Sequence, residues 1–512
     1  MKKLFSILSV ACLMLFPSCN DWLNVTPQGQ IEAEDLYETT KGCNSVVGGI
    51  YYTLSGSNLF GQTLSFGLID ILAQYYDLST HTDHQYYRAS LYDYEDTNIT
   101  GTFGTVWQNL YQAITQCNAF IYYSDPYKEN ISNYDLLLGE VYGLRALAHM
   151  ELFEIFGPVI HTTADLQKPA VAYRTEYNNI SQGFDTGEVV LQKAAEDLNR
   201  ALELLADDPI RDPNVGRDGD LNNSVLDYQD VLNYRGARMN YFCALGLMAR
   251  LEMLRQNKDA AYTYATRVME ETDGIISLME TQDMTGSENS RIYNFAKEML
   301  GSFYVNNLYD ITDTYFGMGG GITSIDQSAM VIDEDRHSDL ISRIYAPSGA
   351  VDGSANDMRT LWFSWNQENS NYDFMKYKQA EPRQGLSEAY FPEISIMRLS
   401  EIYYIACEAQ IGRDNTLALE YLNTVRTSRR LEPLSGGPYT DEQMMTYLVN
   451  DARKDFIGEG RMFFMYKRLF RDFTNMRGQT VTANDNIFVL PIPDDEYEYA
   501  NIERPGTGAS QN

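Results

Sequence analysis

Residues Gly139–Ile160 read GEVYGLRALAHMELFEIFGPVI, and this stretch decides the fold class. Apolar residues recur in it at helical spacing, and further apolar residues flank that stripe, so the helix is apolar on most sides. The recurring residues are Val141, Leu144, Ala148, Leu152 and Ile155. Gly157-Pro158 then ends the helix, as Gly and Pro do just past a helix end. Such a helix has to be surrounded by other helices.

The rest of the chain supplies those helices in pairs. Asn240–Glu271 and Met397–Arg430 each predict two helices joined by a short turn, with small residues where the helices meet, as in tetratricopeptide repeats. Val141–Phe156 and Thr186–Leu205 form a looser third pair. Because repeated helix pairs bury their faces only by stacking, the predicted fold is mainly α. It has a tetratricopeptide-like helix-pair scaffold with large irregular loop insertions and few short strands.

Other segments are assigned from the same periodicity. Further helices are predicted at Glu34–Leu54, Phe60–Leu78, Thr105–Tyr123 and Asp441–Arg471, and a strand is predicted at Ile487–Ile492. The body, residues 34–512, is predicted to be one domain. It comprises a helical part at 34–285, an inserted loop-rich region at 286–393 and a helical part at 394–512.

Two regions break the helical pattern. Ser79–Gly104 has no helical period, and Gly286–Glu393 has no sustained helix after Met299. Both are rich in aromatic and polar residues, and long loops of this kind are often functional. Tyr and Trp rings stack on sugar faces or on peptide side chains, while neighbouring polar groups orient the ligand. The candidate ligand-binding residues are Tyr86, Tyr87, Arg88, Tyr304, Tyr309, Tyr315, Trp362 and Trp365.

The first residues have the pattern of an export signal. Lys2 and Lys3 precede the apolar run Leu4–Phe16, which is too short to span a bilayer as a helix. The run ends in Leu15-Phe16-Pro17-Ser18-Cys19, which is similar to a bacterial lipobox with Cys19 as the lipidated residue. The sequence therefore predicts a signal peptide at 1–18 and a lipidated, flexible tether at 19–33. An ordinary secretory signal with an incidental Cys is the alternative.

Charge and cysteine content narrow the function classes. The net charge of −32 argues against nucleic acid and against anionic lipid as partners, since both bind clustered Lys and Arg. The four cysteines beyond Cys19 are far apart and form no C-x-x-C, so neither a zinc site nor a redox pair is predicted. Buried free thiols are expected at Cys117, Cys243 and Cys407, and a disulfide is left unassigned.

Motifs for catalysis or for a cofactor are not found. The sequence has no G-x-S-x-G, no G-x-x-x-x-G-K-[ST] and no H-E-x-x-H. Asp212–Asp220 is similar to the start of a calcium loop but has Arg217 where Gly is needed. We interpret it as a turn, His81–His84 as a solvated loop, and Asp333–His337 as an exposed charge run. No cofactor and no metal are predicted.

Arg145 lies one helical turn from His149 in the opening stretch. A buried polar site is one interpretation. Because buried charges are normally paired, we favour a structural ion pair with a carboxylate of a neighbouring helix, Glu401 or Glu408.

Several motifs together resemble the SusD/RagB family, the nutrient-binding outer-membrane lipoproteins of Bacteroidetes. Their order along nearly the whole chain makes the resemblance specific, although each motif alone is weak. The motifs are Asn20-Asp21-Trp22-Leu23 with Pro27; Trp107-x-x-Leu110-Tyr111-x-x-Ile114-x-x-x-Asn118; Glu140-x-x-x-x-Arg145-Ala146 up to Phe156-Gly157-Pro158; Arg398-Leu399-x-Glu401-x-Tyr403-x-x-Ala406-x-Glu408-Ala409; Leu422-Asn423-x-Val425-Arg426; Phe456-x-Gly458-Glu459-Gly460-Arg461 with Arg468; and Pro491-Ile492-Pro493 with Glu496 and Asn501. Asp451-Ala452 and Glu503-Arg504-Pro505 depart from the family pattern.

The resemblance implies a non-enzymatic protein on the outer-membrane surface, held by its lipid anchor only. It also implies a tetratricopeptide-like scaffold with a ligand face built from the intervening loops, and a TonB-dependent, SusC-like outer-membrane transporter as partner. No family motif fixes the ligand-contacting residues. The leading hypothesis is a glycan-binding lipoprotein that delivers oligosaccharide to the transporter. An oligopeptide-binding protein of the same type and an anchored hydrolase are the alternatives.

Overall fold

The computed structural model describes residues 34–215, 217, 231–285, 291–317, 329–378 and 392–500. Within these ranges the protein is mainly α-helical. The α-helices are α1 (Thr40–Leu54), α2 (Leu68–Leu72), α3 (Tyr87–Ser90), α4 (Thr97–Ser124), α5 (Tyr134–Phe156), α6 (Gly187–Leu204), α7 (Tyr241–Leu254), α8 (Lys258–Glu271), α9 (Thr281–Thr285), α10 (Leu308–Phe316), α11 (Glu334–Leu340), α12 (Leu399–Gln410), α13 (Asn415–Ser428), α14 (Asp441–Asp455), α15 (Met462–Leu469), α16 (Asp485–Phe488) and α17 (Asp494–Ala500). The strands are β1 (Met299–Tyr304), β2 (Phe363–Asn366), β3 (Asn371–Phe374), β4 (Glu393–Arg398), β5 (Phe473–Thr474) and β6 (Thr480–Val481).

The long helices form one continuous stack. α1 packs on α4, α4 on α5, α5 on α6, α6 on α7, α7 on α8, α8 on α12, and α12 on α13. The two predicted helix pairs are α7–α8 and α12–α13, and the third is α5–α6, so the tetratricopeptide-like fold is confirmed. α5, the helix of the opening stretch, is buried along nearly its whole length, as its all-round apolar pattern predicts.

Side-chain caps start these helices where the sequence places Asn or Asp. Asn257 accepts a hydrogen bond from the Ala260 N–H at 3.3 Å, and Asp414 accepts one from the Leu417 N–H at 3.0 Å. Each cap satisfies a backbone donor that lacks a partner within the first helical turn. The turns between the paired helices therefore follow from local sequence.

The predicted loop-rich region lies between α8 and α12, which pack directly on each other. Its outer ends are joined by antiparallel pairing of β1 with β4, from Met299 opposite Arg398 to Tyr304 opposite Glu393. The short strands confirm one part of the prediction for this region. The prediction that this region has no sustained helix after Met299 is wrong, since α10 spans Leu308–Phe316 and α11 spans Glu334–Leu340.

The helix predicted over Phe60–Leu78 is also wrong in most of its length, because only Leu68–Leu72 is helical. Before it the chain makes successive turns that side chains stabilise. The Thr63 hydroxyl donates to the Ser57 carbonyl at 2.8 Å, and the Ser65 hydroxyl donates to the Phe60 carbonyl at 2.8 Å. Such bonds offer the backbone an alternative to the helix.

Two further boundaries differ from the prediction. α4 begins at Thr97, inside the region predicted to be a loop, because Asp96 caps it by accepting from the Asn98 N–H at 2.9 Å. Residues 487–492 are not a strand. Asp485–Phe488 is a helical turn, and the Leu490 N–H then donates to the Ile155 carbonyl at the end of α5 at 3.3 Å.

Cys43, Cys117, Cys243 and Cys407 are free and buried, which confirms the prediction of buried thiols for the last three. Within the described ranges, every helix is too short or too polar to cross a membrane. The predicted signal peptide with Cys19 and four of the nine residues of Asp212–Asp220 lie outside the described residues.

Candidate functional site

The β2–β3 hairpin carries an aromatic stripe that runs from the core to the surface. Phe363 lies opposite Phe374, and Trp365 lies opposite Tyr372, in antiparallel register. Because side chains alternate along a strand, these four rings share one face of the hairpin. The Phe pair is buried, whereas Trp365 keeps 49% of its surface exposed. The hairpin thus presents an indole ring to solvent from a packed base.

α11 adds an imidazole to this stripe. The His337 ring stacks on the Tyr372 ring with centroids 3.7 Å apart and planes 8° apart. Trp365 meets Tyr372 edge-on at 5.1 Å. Burial lowers the pKa of His337 below its ordinary value of 6.5, so the imidazole is neutral at neutral pH. Three rings from two elements form one half-exposed group.

Arg336 connects the two regions that the sequence singles out. Its guanidinium donates to the Asp333 carboxylate at 2.7 Å and lies 2.5 Å from His81 Nδ1. Burial, and after it the Arg336 charge, lowers the pKa of His81, so this imidazole is also neutral and accepts a hydrogen bond. His81 belongs to region 79–104 and Arg336 to region 286–393, so the contact joins the two predicted ligand loops. We name Trp365, Tyr372, His337, Arg336 and His81 the aromatic surface.

Three predicted ligand-binding residues lie in the core instead. Trp362 is fully buried, Tyr86 is 4% exposed and Tyr315 is 5% exposed. The Trp362 indole N–H donates to the Tyr293 carbonyl at 2.8 Å, and the Lys376 ammonium lies 4.1 Å from the centre of the ring. A ring without an exposed face has no surface on which a ligand can stack, so burial removes these three from the proposed ligand contacts.

The other predicted residues differ in their surroundings. Tyr309 is 38% exposed on α10, which packs against the hairpin through Phe316 and Phe374 with ring centroids 5.1 Å apart. Tyr304 is half-buried at the end of β1. Tyr87 is half-buried, and the exposed Arg88 side chain pairs with Asp93 at 3.4 Å. Among the described residues, Tyr87 and Arg88 make no hydrogen bond, ion pair or ring contact with the aromatic surface.

Most residues of the aromatic surface are not among the ligand-binding residues predicted from the sequence. Asp333–His337 is not simply an exposed charge run, because the Arg336 side chain is only 10% exposed. His81 does not lie free in a solvated loop, because it contacts Arg336. The signal for Tyr372 is the alternation in Phe363–Asn366 and in Asn371–Phe374 on either side of a polar turn, which is typical of a hairpin.

The motifs that carry the family resemblance form buried ion pairs rather than a ligand site. Arg145 pairs with Asp197 at 2.6 Å, so the predicted partners Glu401 and Glu408 are wrong. They lie in another helix pair, whereas Asp197 is on α6, which packs on α5. The other motif pairs are Arg250–Glu401, Arg468–Glu408, Arg461–Glu151, Arg461–Glu154, Arg398–Glu298, Arg398–Asp455 and Arg398–Glu459.

The chemistry of the aromatic surface suits binding. It offers ring faces, a guanidinium and neutral imidazoles, without an activated nucleophile. Within the described ranges, no three His, Cys, Asp or Glu side chains are grouped so that they would hold a metal ion. Arg336 Nε and Asn371 Oδ1 are buried and have no hydrogen-bond partner in that part of the chain. Unsatisfied buried polar atoms are rare and are often found at functional sites.

Comparison with known proteins places the chain among relatives of this fold. The family model described as "Starch-binding associating with outer membrane" matches residues 22–215. The model described as "SusD family" matches residues 255–506. None of the curated proteins is significantly similar in sequence.

Solved structures agree over almost the full length. A SusD superfamily protein from Bacteroides thetaiotaomicron has 18% identity and a TM-score of 0.66, with 91% of this chain and 99% of that chain covered. One from Bacteroides fragilis has 18% identity and a TM-score of 0.66, with 92% and 100% covered. A SusD-like carbohydrate binding protein from Bacteroides vulgatus has 14% identity and a TM-score of 0.63, with 90% and 97% covered. With one family model on each half and the same fold throughout, the chain belongs to the SusD/RagB family.

Proposed function

We propose that the protein is a cell-surface lipoprotein that binds glycan and delivers it to a TonB-dependent, SusC-like outer-membrane transporter. The observation that carries the proposal is the aromatic surface, where exposed Trp365 lies beside the stacked pair of Tyr372 and His337. The faces of sugar rings carry C–H groups that pack on aromatic rings, and a few placed polar groups orient the hydroxyls. Arg336 and His81 are such groups.

The electrostatics of the surface favour a neutral ligand. His81 and His337 are uncharged at neutral pH because burial lowers both pKa values. The Arg336 charge is balanced by Asp333 at 2.7 Å. An uncharged oligosaccharide therefore fits better than a polyanion, in keeping with the net charge of −32.

Family evidence supports the ligand class and the location. One matching family model is described as starch-binding and as associating with the outer membrane, and one similar structure is described as carbohydrate binding. We propose that Cys19 carries the lipid anchor, that the anchor is the only membrane attachment, and that the transporter is the protein partner. We further propose that the protein does not cleave its ligand, so purified mature protein should leave bound glycan intact.

The experiment is isothermal titration of the mature protein against a panel of oligosaccharides and polysaccharides, with oligopeptides as competitors. Trp365→Ala should weaken binding of the best glycan by about tenfold or more, which corresponds to about 1.4 kcal/mol. Tyr52→Ala is the matched control, since Tyr52 is an aromatic residue of α1 that is 82% exposed. Binding of peptides but of no glycan would establish the oligopeptide alternative. Equal glycan affinity of Trp365→Ala and wild type would exclude the aromatic surface as the site.

A further inference from the structure

A cleft of about 490 Å³ lies between α4, the segment 172–184 and α17. Its volume is in the range of small-molecule sites. Trp107, Tyr111 and Phe184 are among its lining residues, and no member of the aromatic surface is. It is therefore a separate feature of the molecule.

The cleft is lined with side-chain amides that are available to a ligand. Gln108 and Gln112 are exposed and lie one turn apart on α4, and exposed Asn179 lies on the opposite segment. None of the three side chains has a hydrogen-bond partner within the described ranges of the chain. A primary amide donates and accepts at the same time, which is also what a sugar hydroxyl needs from its partner.

The charged groups of the cleft already contact their neighbours. Asn178 accepts from Arg174 at 3.2 Å and donates to Glu176 at 2.8 Å, so it links these two charges. Glu496 also lines the cleft, and burial raises its pKa above the ordinary value. The linked charges of Arg174 and Glu176 oppose each other, so this side of the cleft offers little net field to an ionic ligand.

Part of the backbone of the segment is bonded to side chains. The Tyr173 N–H donates to the Asp185 carboxylate at 2.8 Å, and the Arg174 N–H donates to His149 Nε2 at 2.9 Å. The Ile180 N–H donates to Asn178 Oδ1 at 3.0 Å. A peptide that binds by adding a strand needs free backbone groups along an edge. These three N–H groups are committed to side chains, so strand addition at their positions is blocked.

The walls are held in place before any ligand binds. The Tyr111 hydroxyl donates to the Ala172 carbonyl at 2.8 Å, and the Ser181 hydroxyl donates to the Tyr499 carbonyl on α17. Phe184 and Tyr497 meet edge-on with centroids 5.6 Å apart. Such preorganisation lowers the entropic cost of binding.

We propose that this cleft is a second saccharide-binding site, in which Gln108, Gln112 and Asn179 hydrogen-bond the hydroxyl groups of a neutral oligosaccharide. The proposal rests on the proposed function, because the ligand is of the same glycan class. Two sites on one protein would let a polysaccharide chain bind at both positions, with the second contact strengthened by its high effective concentration.

The test is isothermal titration of the full mature chain with the best-binding short oligosaccharide, using Q108A/Q112A. Gln192→Ala, at an exposed glutamine of α6, is the control. Wild type and control should bind two saccharides per chain, Q108A/Q112A and Trp365→Ala should each bind one, and the triple variant should bind none. Because both glutamines are exposed, the melting temperature of Q108A/Q112A should equal that of wild type.

A polysaccharide titration provides the second measurement. Q108A/Q112A should lose about tenfold or more of the affinity for a long chain, while Gln192→Ala should not. One site in wild type, with unchanged affinities in Q108A/Q112A, would overturn the second site and leave the proposed function standing. If no saccharide binds to any variant, the proposed function itself fails. If only peptides occupy the cleft, the saccharide assignment is overturned.

Discussion

Arg145 is a charged residue in the middle of a buried helix, and its contacts define its role. Its guanidinium donates to both carboxylate oxygens of Asp197, at 2.7 and 2.6 Å, and to the Asn118 side chain at 2.8 Å. The Tyr173 hydroxyl also donates to Asp197, at 2.6 Å. Every strong donor in this group has an acceptor, so the group joins α5 to α6 without an unpaired charge.

Removing the arginine should therefore be costly. Arg145→Ala leaves the Asp197 carboxylate buried with one donor, and breaking a buried ion pair in this way costs about 3–5 kcal/mol. Arg88→Ala removes an ion pair whose side chains are 54% and 40% exposed, so its cost should be under about 1 kcal/mol. Urea denaturation of both variants measures the free energies of unfolding. Equal losses would show that Arg145 does not act as a buried ion pair.

Asp70 is a second buried ionisable residue, and its burial makes the stability of the protein depend on pH. Burial raises its pKa to about 8, against the opposing hydrogen bonds from the Gly458 and Gly460 N–H groups. An Asp in the unfolded chain releases its proton near pH 4, whereas folded Asp70 keeps its proton up to about pH 8. Between these two values the folded state therefore binds one proton more than the unfolded chain. The free energy of unfolding therefore falls as the pH rises through this range.

Asp70→Asn should remove this dependence. As the pH rises from about 5 to about 8, wild type should lose stability relative to the variant by up to about 1.4 kcal/mol per pH unit. Denaturant titrations across that range give the two curves. Asp125→Asn, at an exposed carboxyl, should run parallel to wild type. Parallel curves for Asp70→Asn would mean that the buried carboxyl is ionised throughout.

At the scale of elements, the turn between α14 and α15 shows why a predicted single helix becomes two. Gly458 and Gly460 have φ of 85° and 65°, a region that L side chains rarely adopt. Their N–H groups donate to the two Asp70 carboxyl oxygens at 2.6 and 3.1 Å. A Cβ atom at Gly460 would lie 1.9 Å from the Leu64 carbonyl oxygen. The glycines allow the turn to approach the segment before α2.

Gly460→Ala should thus destabilise the protein by more than the strain of a left-handed residue. Gly274→Ala is the matched control, because Gly274 has φ of 75° and nothing within 4 Å of the added Cβ. The control should cost about 1–2 kcal/mol, and Gly460→Ala should exceed it by about 2 kcal/mol or more. Thermal and urea denaturation compare the two. A similar loss in both would mean that the turn moves away freely.

At the scale of the whole molecule, the helical stack carries the binding elements. α8 and α12 pack directly although the loop-rich region separates them in sequence, and pairing of β1 with β4 closes that region at its base. The β2–β3 hairpin and α11 lie within the closed region. Most of the aromatic surface therefore lies in an insertion whose two ends are held together at the scaffold.

The proposed lipid anchor at Cys19 decides where in the cell the whole molecule lies. Cys19→Ser should move the protein from the outer-membrane fraction to the soluble fraction of the host cell, since the lipid is the proposed attachment. Cys12→Ser, within the apolar run of the signal, is the control and should stay with the membrane. Immunoblots of the fractions measure both. Retention of Cys19→Ser in the membrane would contradict lipidation at this residue.

The helix pairs and the turns between them follow from the sequence alone. Helical periodicity and capping residues act over a few residues. The helices α5, α7–α8 and α12–α13 can therefore be predicted without tertiary information. The same is true of the aromatic content of the two loop regions. The helix predicted over residues 60–78 is wrong because apolar spacing does not reveal side-chain hydrogen bonds to the backbone. The Thr63 hydroxyl makes such a bond, which stabilises a turn instead of a helix.

Only the tertiary structure decides which of these residues meet. Trp362 and Trp365 are three residues apart and equally apolar, yet one is fully buried and the other is half-exposed. Hairpin register and the packing beneath it set that difference. The contact of His81 with Arg336 joins positions far apart in the chain, and Arg145 pairs with Asp197 because α5 packs on α6. Local periodicity determined the scaffold, whereas long-range packing decided the candidate site, because a binding surface depends on which side chains packing leaves exposed together.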